Sequence, residues 1–371
     1  MTVDFSAEFP QDPNTLYLNH AAVAPWPARS RDAVIRFAEE NASTGARHYP
    51  RWLATEQRLR EQLASLILAA SADDIALLKN TSEGLSVVAG GLPWQAGDRV
   101  LISDQEFPSN RIPWQALETK GVIVTEVALD GPDPEADLIA AMDDSVRLLA
   151  ISAVQYGTGL KLDMARLGAA CRARNILFCV DAIQMIGALP VDVQAWQADF
   201  VVADGHKWML GPEGLALFWC RPELRPDLTL HQYGWHMIEH AGDYSRHDWQ
   251  PARSARRFEC GSPNLLCAHA LSASLSLLLE VGMDQVGTLL QSRVQRLQDG
   301  LLARGMVLLS PAQPERRAGI VTFRSPQQDS DRLFLQLRDA GVVCAPRGGG
   351  IRFSPHFYTR DHVIDRALAL L

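Results

Sequence analysis

Seven short apolar runs separated by helix-length segments restrict this chain more than any other feature. They are "IALLK" (75–79), "RVLIS" (99–103), "VIVTEV" (122–127), "RLLAIS" (147–152), "ILFCV" (176–180), "DFVVA" (199–203) and "LALFW" (215–219). Several are apolar throughout instead of alternating, which is the pattern of strands covered on both faces. Segments such as "DMARLGAACRARN" lie between most of them and read as helices. This rhythm predicts an α/β fold with a mostly parallel, seven-stranded sheet covered by helices. Upstream, "TEQRLREQLASLILAA" sets Leu59, Leu63, Leu66 and Ala70 on one helical face. Past about residue 255 long helical patterns dominate ("NLLCAHALSASLSLLLEVG", "TLLQSRVQRLQDGLLARG", "DSDRLFLQLRDAG"), with short strands at "VVCAP" and "IRFS". The expected division is a large domain over 15–255 and a smaller C-terminal α+β domain over 256–371. Residues 1–30 are expected to pack near the small domain and the active site.

Composition narrows the function. Of 371 residues, 47% are hydrophobic and 21% charged, enough apolar material for a sizeable core. The net charge of −8 and the lack of any Lys/Arg run remove the electrostatic basis for binding nucleic acid or a membrane surface. Six scattered cysteines without a CxxC pair argue against a disulfide scaffold or a thiolate metal site and fit a reducing cytoplasm. The opening "MTVDFSAEFP" lacks the apolar segment of a signal peptide. No stretch approaches the roughly 20 apolar residues of a membrane span.

In open parallel sheets ligands bind beyond the carboxyl ends of the strands. After "IALLK" comes "NTSEG", where Asn80 and Glu83 resemble a capping box. Thr81 and Ser82 would then stand at a positive helix end, either as a phosphate cradle or as part of an ordinary cap. After "RVLIS" comes Phe107, a lid for a flat ligand or a packed loop aromatic. After "RLLAIS" come Gln155 and Tyr156. After "ILFCV" comes Asp181, a carboxylate shielded enough to need a partner, with Gln184 three residues on. After "DFVVA" come Asp204, Gly205, His206 and Lys207. A lysine in a partly desolvated cleft has a lowered pKa and becomes an amine nucleophile. Phosphate cradle, aromatic lid, ring-nitrogen acid, ring-oxygen donor and Schiff-base lysine match pyridoxal 5'-phosphate group by group.

With those residues in place the chain resembles the class V aminotransferases of the fold-type I pyridoxal-phosphate enzymes. That group also holds cysteine desulfurases, selenocysteine lyases, isopenicillin N epimerases and kynureninases. The resemblance runs from "YLNHAAVAP" (17–25) to "GGGIRFSPHFYTRDHV" (348–363). It implies that Lys207 holds the cofactor, Asp181 its ring nitrogen and Gln184 its phenolic oxygen. It implies Phe107 as the stacking residue and Thr81, Ser82 and His206 at the phosphate; Tyr156 is expected among the cofactor-binding and substrate-specificity residues. It implies that Ser262, in "RRFECGSPN", reaches the phosphate of a neighbouring subunit in a homodimer. The local pattern there reads as Ser262 capping a helix with Pro263 at its first position. Arg352 is implied as the substrate-carboxylate arginine, with a surface strand residue as the plain alternative. Asn19, His20, Trp208, "YGWHMIEH" (233–240) and "RGGG" are the expected substrate-side residues.

Three departures bear on the reaction. Asp204 stands where desulfurases carry a serine, and is expected to turn toward a structural partner. Phe107 replaces a histidine and cannot move protons. Only eleven steps separate Gly341 from Arg352, too few for the loop that carries a desulfurase's nucleophilic cysteine. Cys344 reads as a small buried hydrophobe. The expected activity is Cα deprotonation of a small α-amino acid, of aminotransferase class V type. A C–S β-lyase stands second and an epimerase third. No metal is expected. Two other classes compete: a nucleotide-dependent oxidoreductase, which lacks its GxGxxG, and a non-catalytic cofactor-binding protein.

Overall fold

The computed structural model describes residues 4–371, so the first three positions of the N-terminal segment lie outside the described residues. All seven apolar runs form strands of one sheet, in the order Ile75–Leu78, Ala216–Cys220, Phe200–Asp204, Leu177–Asp181, Val146–Ser152, Arg99–Ser103, Ile123–Val127. Only Ala216–Cys220 runs against its neighbours; the other pairings in the sheet are parallel. The reason for continuous apolar runs is visible in the burial. Phe200–Asp204 and Ala216–Cys220 are buried at every position. Alternate residues feed two separate cores. Val201, Ala203, Leu217 and Trp219 pack with Leu59, Leu63 and Leu271 on one face. Phe200, Val202 and Phe218 pack with Leu85 and Val88 on the other. The edge strand Ile123–Val127 has no buried residue.

Three strands end one residue later than their apolar runs suggest. Asp181 and Asp204 are themselves strand residues, paired with Ser152 and Ala216 in the ladder. Their carboxylates therefore sit on the sheet's rigid edge and not in a loop. The helix with Leu59, Leu63 and Leu66 spans Tyr49–Leu66. Leu68 adopts a left-handed φ of 53°, so the helix stops before Ala70, which is exposed.

Beyond the sheet, helices Leu265–Val281 and Met283–Leu302 precede a four-stranded antiparallel sheet. The expected "VVCAP" strand is split: Val342–Val343 pairs in parallel with Leu16–Tyr17, and Ala345–Arg347 pairs with Gly350–Phe353. Gly348 and Gly349 form the two-residue turn with φ of 59° and 76°, the conformation a tight hairpin requires. A Cβ on Gly348 would meet the Gly157 carbonyl oxygen at 2.7 Å. The hairpin thus docks on the loop carrying Tyr156 and brings Arg352 to the large sheet's carboxyl edge. The N-terminal segment lies beside the same region: Ala24 N–H donates to the His206 carbonyl at 2.8 Å. No single helix among the described residues is long and apolar enough to cross a membrane. We propose the domain division near residue 256. The second sheet lies wholly beyond it, although one core is continuous across both parts.

Leu63 is fully buried where the Tyr49–Leu66 helix meets the sheet. Leu63→Ala is expected to cost about 2–5 kcal/mol of stability, read as a lower urea midpoint with an unchanged slope.

Candidate active site

Helix Thr81–Gly91 starts at the carboxyl edge of the sheet because Asn80 caps it, accepting the Glu83 N–H at 2.9 Å. Glu83 Oε2 in turn accepts the Lys79 N–H at 2.5 Å, one residue upstream of a standard capping box. The Thr81 hydroxyl is buried without a partner. Beside it, His206 Nδ1 lies 3.1 Å from Asp204 Oδ1, but the two are not aligned as a hydrogen bond and neither atom has another partner. Asp204 Oδ2 is 3.4 Å from the Thr81 N–H. Asp204 therefore does not turn away, as its charge suggested; it lines the same cleft as Thr81, Ser82 and His206.

That cleft has a volume of about 250 Å³, and Lys207 and Asp181 stand in its wall. Burial pushes the Lys207 amine down, with Asp181 opposing and Arg352 reinforcing the shift. Burial pushes the Asp181 carboxyl up; the Ile183 N–H, donating to Oδ1 at 3.0 Å, and the Lys207 charge oppose it, while Glu106 and Asp204 add to it. Each charge of the pair thus offsets part of the other's desolvation. Lys207 Nζ lies 5.7 Å from the centre of the Phe107 ring. Phe107 packs edge-on against Tyr156 with centroids 5.1 Å apart, and both line the cleft.

Arg352 enters from the second sheet. It is 2% exposed. Its Nη1 donates to the Tyr156 carbonyl at 2.9 Å, and its Nη2 reaches Asn19 Oδ1 at 3.5 Å. Nε has no partner, and no carboxylate salt-bridges the side chain among the described residues. Burial, helped by Arg347, pushes its guanidinium down to about 10. A buried, uncompensated guanidinium facing a cleft is poised for an anionic ligand. Gln184 lines the cleft as well; it donates to the Ala21 carbonyl at 3.0 Å and accepts from the Trp208 indole N–H at 2.8 Å.

Several expected site residues are placed elsewhere. His20 is fully buried behind the cleft, its Nδ1 at 2.8 Å from the Ser354 carbonyl and its Nε2 at 2.7 Å from the Tyr358 hydroxyl. Burial holds its pKa down at about 4, so it is neutral. Asn19 reaches the site only through Arg352. Trp208 is fully buried, and no residue of 233–240 lines the cleft. Ser262 is exposed and lines a separate, larger cleft of about 360 Å³ with Lys79 and Glu83. It does not cap the following helix either. Asn264 does, accepting the Cys267 N–H at 3.2 Å, because the helix begins at Leu265 and Pro263 lies outside it. Cys344 is buried, and burial pushes its thiol up to about 12.

Glu106 escaped the sequence reading. It is buried and accepts from Ser103, Asn110, Gln155 and both the backbone and hydroxyl of Ser152. The same rule that flagged Asp181, an acid just past an apolar strand, applied to it. One further cluster, Glu56, His236 and Glu259, has ligand atoms within 4.8 Å. Arg60 fills it, bonded to both carboxylates.

The family model for class V aminotransferases matches residues 16–359. The chain belongs to this family. A probable cysteine desulfurase from Methanothermobacter thermautotrophicus is 28% identical, covering 98% of this chain and 95% of that one. A cysteine desulfurase from Salmonella gallinarum is 31% identical over 83% of this chain and 77% of its own length. Among solved structures, C-DES is similar in two forms. One has glycine covalently linked to its PLP cofactor (TM-score 0.91, 23% identity, 99% and 98% coverage). The other is the cystine C–S lyase with its product cysteine persulfide (TM-score 0.90, 24% identity, 97% and 98% coverage). That likeness shows the fold, the mostly parallel α/β architecture of fold-type I enzymes. These names reverse the order of the two leading expectations: they favour C–S cleavage over transamination.

In cofactor-free protein the Lys207 amine, pushed down to about 8, is expected to react with formaldehyde and cyanoborohydride increasingly as pH rises through that value. Arg352→Gln is expected to raise the midpoint and Asp181→Asn to lower it, because the first removes a repelling charge and the second an attracting one. Peptide mapping of methylated Lys207 across pH checks both directions.

Proposed function

We propose that this protein binds pyridoxal 5'-phosphate at Lys207 and catalyses C–S bond cleavage in a small sulfur-containing α-amino acid. One observation carries the reading. A half-buried lysine, a buried carboxylate and a buried arginine without an acidic partner share one cleft. Beside them a helix N-terminus and the unpartnered Thr81 Oγ1 and His206 Nδ1 leave polar groups for a phosphate. The donor set therefore fits the cofactor at both ends, with the Asp204 carboxylate, which accepts the Thr81 N–H at 3.4 Å, standing among the phosphate-side groups.

Bound pyridoxal phosphate supplies an aldehyde for amino groups and a protonated ring that withdraws electrons from the substrate's α-carbon. The remaining roles fall to this chain. Thr81, Ser82 and His206 hold the phosphate, Asp181 keeps a proton on the ring nitrogen, and Gln184 donates to the ring oxygen. Arg352 takes the α-carboxylate through its planar fork. Phe107 covers the ring and excludes water, but has no proton to exchange. Proton removal at the α-carbon therefore rests on Lys207 Nζ. Loss of that proton and departure of sulfur from the β-carbon with the bonding electrons leave an enamine. Its hydrolysis gives pyruvate and ammonia.

Where the sulfur goes separates two kinds of enzyme. Among the described residues no cysteine lines the cleft, and Cys344 lies buried between two strands. Sulfur thus leaves in a soluble product and is not passed to a cysteine of this chain, in line with the C–S lyase named among the structural neighbours. We also propose a homodimer, with Ser262 at the phosphate of the neighbouring subunit, since its own cleft is not the one holding Lys207.

Incubated with cysteine and cystine, the holoenzyme is expected to release pyruvate and ammonia with sulfide or persulfide. Cys344→Ser is expected to keep that turnover, and Arg352→Ala to raise KM roughly 10- to 100-fold, the worth of a charged hydrogen-bonding pair. Keto acid formed from the amino acid only when a second keto acid is supplied would instead establish transamination.

A further inference from the structure

The residue after Lys207 has its own hydrogen-bonding work. Trp208 is fully buried. Its indole N–H, a donor only, points at Gln184 Oε1 at 2.8 Å. On its other side the Gln184 amide meets the Ala21 carbonyl, an acceptor only, at 3.0 Å. A side-chain amide caught between a pure donor and a pure acceptor has one possible orientation. Its oxygen faces Trp208 and its NH2 faces Ala21, leaving one N–H over. Trp208 is itself clamped at the backbone, where His356 Nε2 lies 3.1 Å from its carbonyl oxygen. His356 Nδ1 accepts the Phe357 N–H at 2.8 Å, so Nε2 carries the proton and donates. Gly319 makes room for the indole: a Cβ there would fall 2.1 Å from the Trp208 ring.

We propose that Trp208 is a positioning residue that restricts Gln184 to presenting a hydrogen-bond donor, never an acceptor, to the cleft. The proposal rests on the pyridoxal phosphate reading and deepens it. A group that only donates stabilises the cofactor's ring oxygen as phenolate and disfavours the phenol, which would need an acceptor. The indole thereby sets the balance between the two ring-oxygen tautomers without touching cofactor or substrate. Without it the Ala21 carbonyl alone holds that orientation, and the Gln184 amide turns over more readily to offer its oxygen.

The test uses absorption of the loaded protein, where phenolate and phenol forms give separate bands, and the indole N–H resonance of cofactor-free protein. Trp208→Phe is expected to raise the phenol-to-phenolate ratio roughly five-fold, the factor one ordinary hydrogen bond is worth. In a Gln184→Ala background the same substitution is expected to change nothing, because the two residues act as one unit. In the cofactor-free protein Gln184→Ala is expected to shift the Trp208 indole N–H resonance and speed its exchange with solvent. That measurement holds even if Trp208→Phe does not fold. An unmoved indole resonance, or a ratio change equal in both backgrounds, overturns the positioning role. Wild-type protein that takes up no pyridoxal phosphate overturns the cofactor reading, and this role with it.

Discussion

A half-buried amine and a buried carboxylate, together at the carboxyl edge of a mostly parallel sheet, are the pair on which the rest of the site depends. Neither ion would persist there alone, because desolvation costs each several kcal/mol. Together they remain partly charged, and the residual strain appears as a raised Asp181 and a lowered Lys207. The ladder makes that tension useful. Asp181 and Asp204 are strand residues held by neighbouring strands, so the carboxylates cannot relax outward toward water. Arg352 adds a fourth charge from a different sheet. With Arg347 also in the wall, three basic side chains stand against two acidic ones, an excess that suits anionic ligand groups.

Behind these charges lies a layer of saturated polar groups. Glu106 binds five donors and fixes the turn that displays Phe107. His20 bonds Ser354 and Tyr358, joining the N-terminal segment to the strand region around Arg352. The Gln184–Trp208–His356 series ties the loop after Lys207 to the C-terminal part. Buried polar networks of this kind are costly if incomplete and rigid when satisfied. Around the cleft, Thr81 Oγ1, Asp204 Oδ1, His206 Nδ1 and Arg352 Nε are left without partners.

Local pattern carried much of this into the sequence. Most sheet strands are legible because continuous apolar runs of about five residues, bounded by turn residues, suit doubly covered strands. Asp181 is legible because it ends such a run, and Lys207 because it lies in the short loop that follows one. Features that depend on distant partners are not. His20 stands beside Asn19 in a motif-like stretch, yet its burial is decided by residues 334 and 338 positions away. "GSPN" offers two capping residues, and only the tertiary start of the helix at Leu265 selects Asn264 over Ser262. Asp204 reads as an anion that ought to avoid a phosphate, but its place in the ladder leaves it no other direction. Glu106 is hidden by its neighbour: the aromatic ring of Phe107 draws attention from the acid that positions it.

The covalent attachment of the cofactor to one amine is the central claim. Reduction of the holoenzyme with borohydride, followed by digestion and mass mapping, tests it directly. A pyridoxyl group on the peptide containing Lys207, absent from Lys207→Ala, is the expected result. A label on any other lysine, or none on wild-type protein incubated with pyridoxal phosphate, would contradict it.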